Sequence, residues 1–172
     1  IVEANLDGRQ NNGIPTGFRY LDNKGGLQRS DLVVIAAEFS QGKTSLALDL
    51  SLSAARNGYP VAFYSTEMTN PQLTARIVSA GSDGKLCAND IMQKALTLEQ
   101  LKVFDKTVGR IEPLPIYFDD TSTMSIERII SSIRMLVRKK GICLACIDFL
   151  QVLQTNEKNM RQNEEQFFGM VT

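Results

Sequence analysis

The sequence predicts an α/β fold, a mainly parallel sheet covered on both faces by helices. Two observations carry this. Short, solidly apolar runs alternate along the chain with longer stretches of helical periodicity. The runs lack the apolar–polar alternation of a half-exposed strand, so both of their faces want cover. A third observation orients the sheet. The apolar run Leu32 to Ala37 stops abruptly, a turn containing Gly42-Lys43-Thr44 follows, and helix-like sequence resumes at Leu46. In such folds the chemistry collects at the carboxyl ends of the strands.

Each element can be justified in order. Residues 1–16 are polar and carry Gly8, Gly13 and Pro15, which reads as a linker or arm; residues 17–172 read as the domain proper. A short helical turn is expected near Phe18 to Asp22, broken by Gly25-Gly26. Leu32 to Ala37 is the first central strand, and Thr44 to Asn57 the helix after it. Val61 to Ser65 is the next strand. Pro71 to Ser79 is a helix, with Asn70 or Thr69 as its cap and proline in its first turn. Gly81 to Asn89 reads as irregular. Leu98 to Val108 is helical, capped by Thr97 with Gln100 three residues on. Pro115 to Phe118 is a short strand. Ser125 to Lys140 is an amphipathic helix, ended by Gly141 with Arg138, Lys139 and Lys140 in the favourable last turn. Leu144 to Phe149 is a further strand. Gln154 to Asn163, with Lys158 and Arg161, reads as a polar loop that could reach a polymer partner or equally be plain surface, and the chain ends in helix-like sequence. The end at Thr172, and a start without Met, suggest a piece of a larger protein.

Composition bounds the chemistry. At 172 residues and 43% apolar, the chain has about one domain's length and enough material for a core. Nineteen basic and 19 acidic residues balance, so no electrostatic footprint advertises nucleic acid. A ring that concentrates a few basic groups in a central channel would not need one. There is no histidine, which removes His-based acid–base catalysis and His-ligated zinc. Cys143 and Cys146 have CxxC spacing but lie in an apolar run, where cysteine is a core residue and a strand turns residues three apart to opposite faces. The odd cysteine count suits a reducing, cytoplasmic setting. No apolar run approaches membrane-spanning length.

The residues that carry chemistry sit at predicted strand ends. Ser40, Gln41, Gly42, Lys43, Thr44 and Ser45 form a phosphate-binding turn. Gly42 lets the backbone approach a phosphate, and successive amides with the helix N-terminus face its oxygens. Lys43 brings a positive charge to the outer phosphates of ATP, and Thr44 offers a hydroxyl to Mg²⁺. Ala37 stands where the common pattern has its first glycine, which a compact turn tolerates at negative φ. Asp148 closes a buried strand and can hold Mg²⁺ beside Thr44. Phe149 follows it, so the activating carboxylate must come from elsewhere. Glu67, just after the strand Val61 to Ser65, is the candidate for orienting the attacking water. Asp119-Asp120 reads as a turn or a cap for the helix at Ser125, with a role beside the site as the other reading. Arg76, Arg110, Arg128 and Arg134 read as solvated helix faces.

Taken together, these residues resemble the motor domain of the replicative DNA helicase of bacteria and their phages, the DnaB family. The likeness runs from Gly13 to about Gln154. It rests on Gly13 to Asp22 with Gly25 to Leu32, on Ser65-Thr66-Glu67-Met68, on Ile116 to Asp120, and on Ile147 to Gln151. The resemblance implies a RecA-like P-loop NTPase core, incomplete at its C-terminus, that hydrolyses ATP with Mg²⁺. It implies six subunits ringed around single-stranded DNA at a fork, with primase and a helicase loader as partners and no membrane. The family's arginine finger, phosphate-sensing glutamine and main DNA-binding loop are expected beyond Thr172, so the fragment alone is expected to be inactive. Arg29-Ser30 stands where the family usually has Pro-Gly, and Phe39-Ser40-Gln41 where it often has Pro-Ser-Met, which suggests a divergent phage or mobile-element member. Two alternatives stay open: a recombinase-like or clock-like RecA-fold ATPase acting in recombination or assembly, and a non-catalytic helicase loader or regulatory ATP-binding protein.

Overall fold

The computed structural model describes residues 13–38, 40–121 and 125–148. The expected arm up to residue 12, Phe39, Phe149 and the loop and helix-like segments beyond it lie outside the described residues. Six helices and three strands are formed among the described residues: α1 (Arg19–Asp22), α2 (Lys43–Arg56), β1 (Val61–Ser65), α3 (Asn70–Gly81), α4 (Ala88–Gln93), α5 (Leu98–Ile111), β2 (Ile116–Asp119), α6 (Ile126–Lys140) and β3 (Leu144–Asp148). The strands form one parallel sheet in the order β2-β1-β3. Register pairs Tyr64 with Asp119 and Ser65 with Asp148, so the three strands end level.

The expected helix signals act where the sequence puts them. The Thr97 side chain accepts the Gln100 amide, and Gln100 returns a bond to the Thr97 amide at 2.9 Å. Gln72 does the same for the Thr69 amide at the start of α3. Ser125 caps α6, and Gly141 ends it in the left-handed region at φ 66°. One helix, α4, falls within and just past the segment expected to be irregular. It is six residues long with no side-chain cap, too short to declare a period.

Alternation along β1 sorts the core into two layers. Phe63 meets Ala47, Leu48 and Leu52 of α2 and Leu73 and Ile77 of α3. Ala62 and Tyr64 face the other way, onto Ile129 of α6 and Ile142. Phe63 and Phe118 of β2 also meet in a tilted pair, centroids 5.8 Å apart. All five residues of β1 are buried, which is why that strand reads as a solid apolar run.

The expected first strand is a correction. Residues 31–38 form no strand, and Leu32, Val33 and Val34 are exposed, Val34 by 72%. Ile35 alone of this run packs against the core. The run has the composition of a buried strand but no ladder partner among the described residues, and without backbone pairing it stays merely extended.

Ahead of it, residues 13–31 form a small closed loop. Ile14 and Leu27 make an antiparallel bridge. The Asp22 carboxylate accepts the Thr16 amide at 2.7 Å, the Thr16 hydroxyl at 2.6 Å and the Gly17 amide at 3.1 Å. These bonds, the Thr16 hydroxyl first, hold the Asp22 carboxyl below the usual carboxylate range. Gly17, at φ 81°, lies against Ser53 of α2, where a β-carbon would come within 3.0 Å of the hydroxyl. That contact seats the loop on α2.

Candidate functional site

The direction of α2 decides where its N-terminus lies. Ala47 and Leu48, near its start, pack with Phe63, Met68 and Cys146. Ala54 and Ala55, near its end, pack with Val61, Leu144 and Ile116 at the beginnings of the strands. The helix therefore runs antiparallel to the strands, and Lys43 and Thr44 sit toward the edge where the strands end.

Asp148 comes to the same place on the same face. Leu144 and Cys146 of β3 face α2, and alternation puts Asp148 with them. It is 6% exposed, and its Oδ2 is buried with no hydrogen-bond partner. An orphaned buried carboxylate oxygen is costly unless something positive or donating meets it.

Glu67 follows within two residues of Ser65, the register partner of Asp148. It is exposed. Its turn is tied down on either side. The Thr66 amide donates to the Asp148 carbonyl at 2.9 Å, and the Met68 amide to the Ser65 hydroxyl at 3.0 Å. The fold thus brings Lys43, Thr44, Glu67 and Asp148 to one sheet edge, from the start of α2 and the ends of β1 and β3.

The turn itself has the backbone of a cradle. Ser40 and Gly42 lie in the left-handed region at φ 62° and 85°. At Gly42 a β-carbon would find no protein atom within 4 Å, so open space lies over that backbone. Ala37 has no positive φ, as its side chain requires. The Lys43 ammonium donates to the Ala37 carbonyl at 3.0 Å, spanning the turn from its last residues to its first. Glu38 and Gln41 are exposed. Ser45 accepts a bond from the Arg76 guanidinium of α3 at 3.2 Å.

The donor set fits a magnesium nucleotide. Among the described residues no group of three His, Cys, Asp or Glu side chains gathers as a metal cage. Magnesium needs none, since it takes one or two protein oxygens and fills its shell with phosphates and water. Asp148 with the Thr44 hydroxyl would supply such oxygens.

Of four contacts here, the Asp119 turn was expected and the other three escaped the sequence reading. Asp120 accepts the backbone amide of Asn70 at 2.7 Å, so it caps α3 and not the helix at Ser125. Asp119 closes its own turn through the Thr121 hydroxyl at 2.7 Å. Arg76 ties α3 to the start of α2, and Arg110 donates to the Gly81 carbonyl at 3.0 Å. All but the Asp119 turn join residues far apart in sequence, which no local pattern announces. Cys143 and Cys146 form no disulfide: Cys143 is exposed and Cys146 packs against the core. No helix among the described residues is long and apolar enough to cross a membrane.

Comparison with known proteins gives the family and the fold. A family model described as the DnaB-like helicase C terminal domain matches residues 13–169. The chain is 35% identical over 156 residues to the replicative DNA helicase DnaB of Geobacillus stearothermophilus, covering 90% of this chain and 34% of that protein. It is equally similar, 35% over 156 residues, to the replicative DNA helicase DnaC of Bacillus subtilis, covering 88% of this chain and 34% of that one. A solved DnaB-like replicative helicase, studied with its interactions with primase, superposes with a TM-score of 0.83 at 26% identity, covering 99% of this chain and 43% of that chain. The chain spans about a third of the length of these curated relatives.

Proposed function

The chain belongs to the DnaB-like helicase C-terminal domain family, and from that premise we propose that it forms the ATP-driven motor core of a replicative DNA helicase. Ser40, Gln41, Gly42, Lys43, Thr44 and Ser45 cradle the phosphates of ATP. Lys43 neutralises charge that builds on the outer phosphates in the transition state. Thr44 and Asp148 hold Mg²⁺, which polarises the phosphates when bound. Glu67 orients the attacking water.

One observation carries the reading. A carboxylate oxygen of Asp148, buried and unpartnered, lies on the α2 face at the sheet edge to which Lys43 and Thr44 also come. A core has no use for such a group, and a cation beside it removes the cost. The family match across 13–169 favours a helicase over a recombinase-like or clock-like ATPase. A decayed regulatory protein would have no need to keep Lys43, Thr44, Glu67 and Asp148 together.

The same proposal extends to the whole assembly. Six copies ring single-stranded DNA at the fork, ATP binds between neighbours, and each hydrolysis event drives translocation and unwinding. Primase and a helicase loader dock on the ring, in the cytoplasm where the chromosome lies.

The test uses the full-length protein that carries these residues. Lys43→Ala is expected to abolish both ATP turnover and fork unwinding. Glu67→Gln is expected to bind ATP normally and to lower turnover by at least about 100-fold, the low end of what general-base removal costs. Normal turnover in Glu67→Gln would reject its role.

A further inference from the structure

We infer that Asp120 is a positioning residue for Glu67, fixing the turn that carries it through the first amide of α3. The inference rests on the reading of Glu67 as the water-orienting carboxylate. Four residues, Thr66 to Thr69, connect β1 to α3, and Glu67 lies among them. Each strand of the sheet holds one amide of this connection or its exit. The β3 carbonyl of Asp148 takes the Thr66 amide, β1 takes the Met68 amide through the Ser65 hydroxyl, and Asp120, just past β2, takes the Asn70 amide at 2.7 Å.

The Asp120 bond is the strongest kind of the three. It is charge-assisted, and its carboxylate sits at the N-terminus of a 12-residue helix, where the dipole favours a negative charge. Gln72 already serves the amide of Thr69, the N-cap, and Asp120 takes the Asn70 amide, the first of α3. It is also the one grip that can be removed by truncating a side chain outside any strand. The register keeps Asp120 in place: Asp119 pairs with Tyr64, so the next residue of β2's chain stands beside Ser65, where the Glu67 turn begins. Asp119 turns its Oδ1 to the Thr121 amide and hydroxyl instead.

The consequence is a loss of alignment without loss of binding. Among the described residues the Lys43 ammonium bonds to the Ala37 carbonyl and Asp148 Oδ2 has no hydrogen-bond partner, so nucleotide affinity should survive while the water loses its partner. In the full-length protein, Asp120→Ala should lower kcat for ATP by about 10- to 100-fold, the range a misplacement of about an ångström produces. Affinity for a non-hydrolysable ATP analogue with Mg²⁺ should change by less than about 3-fold, the split expected when only the transition state is affected. Asp120→Asn keeps a carbonyl acceptor at the same place and should recover most of kcat. In a Glu67→Gln background, adding Asp120→Ala should cost little further, because the two residues act as one unit.

The outcomes separate cleanly. If Glu67→Gln is dead and Asp120→Ala turns over like the parent, the positioning role is wrong and the reading of Glu67 stands. A fall in kcat matched by an equal fall in analogue affinity, or one as large again in the Glu67→Gln background, would also overturn it. If Glu67→Gln itself turns over normally, the underlying reading fails and the inference fails with it.

Discussion

β1 and the run Leu32 to Ala37 are both short, largely apolar runs and opposites in outcome. Every residue of Val61–Ser65 is buried, although the strand ends in serine and contains a tyrosine. Leu32 to Ala37 is purely aliphatic, yet Leu32, Val33 and Val34 are exposed. The difference is in neighbours. β1 pairs with β2 on one edge and β3 on the other, and has α2 with α3 on one face and α6 on the other. The aliphatic run has no ladder partner among the described residues. Hydrophobicity is a property of the segment; cover is a property of everything else in the chain.

The sharpest way to break this contrast is substitution at matched positions. Phe63→Ala should destabilise the fold by about 3–5 kcal/mol, since it empties the contact between β1, α2 and α3. Val34→Asp, although a charge replaces an aliphatic group, should cost about 0.5 kcal/mol or less, because that side chain is already in water. Urea denaturation of the two variants measures both. A loss at Val34 of about 2 kcal/mol or more would mean that the run is buried in solution.

A smaller effect of opposite sign is expected at the turn that feeds the run. Ser30 sits in the left-handed region at φ 66°, where L side chains are strained. It is the position at which the sequence departs from the Pro-Gly of the family it resembles, and the backbone explains why glycine is preferred there. Ser30→Gly should gain about 0.5–1 kcal/mol, relief of the left-handed penalty less the extra freedom of glycine in the unfolded chain. Arg29→Ala, with its exposed side chain, should stay near zero and serves as the control.

The same contrast sorts what the sequence made legible. Helix starts were readable because a cap is local: Thr97 with Gln100, or Thr69 with Gln72, is a signal three residues wide. β1 was readable because burial on two faces leaves a solid apolar run. The parallel arrangement followed from the helices between the strands, and with it the expectation that Lys43, Glu67 and Asp148 would share an edge. Pairing partners were not readable, so the aliphatic run could not be told from a true central strand. Nor were Asp120 on Asn70 or Arg76 on Ser45, each joining residues from different elements. Asp22 shows the boundary well. Its three bonds to Thr16 and Gly17 are nearly local, yet a carboxylate five or six residues from its donors matches no familiar capping spacing.

β3 lies between the two extremes and offers the subtlest test. Among the described residues it pairs on one edge only, with β1. Cys146 lies on its α2 face, and burial, with the negative charge of Asp148 adding to it, pushes the thiol up to about 12. Cys143, just before the strand, is exposed, its Sγ 3.2 Å from the Gly141 carbonyl. At about pH 8 iodoacetamide should label Cys143 and the exposed Cys87 in the folded chain and leave Cys146 unmodified, because only the thiolate reacts. The linkage has a definite sign. A thiol raised on folding keeps its contribution below its ordinary value of 9.0 and loses it as pH climbs from there toward about 12. Tyr64, raised by burial from 10.0, pulls the same way at higher pH. The unfolding free energy of the parent should therefore fall more steeply above about pH 9 than that of Cys146→Ala, with the two curves parallel below it. Equal labelling of Cys146 and Cys143 in the native chain, or parallel curves throughout, would place Cys146 in water and make β3 resemble the aliphatic run more than β1.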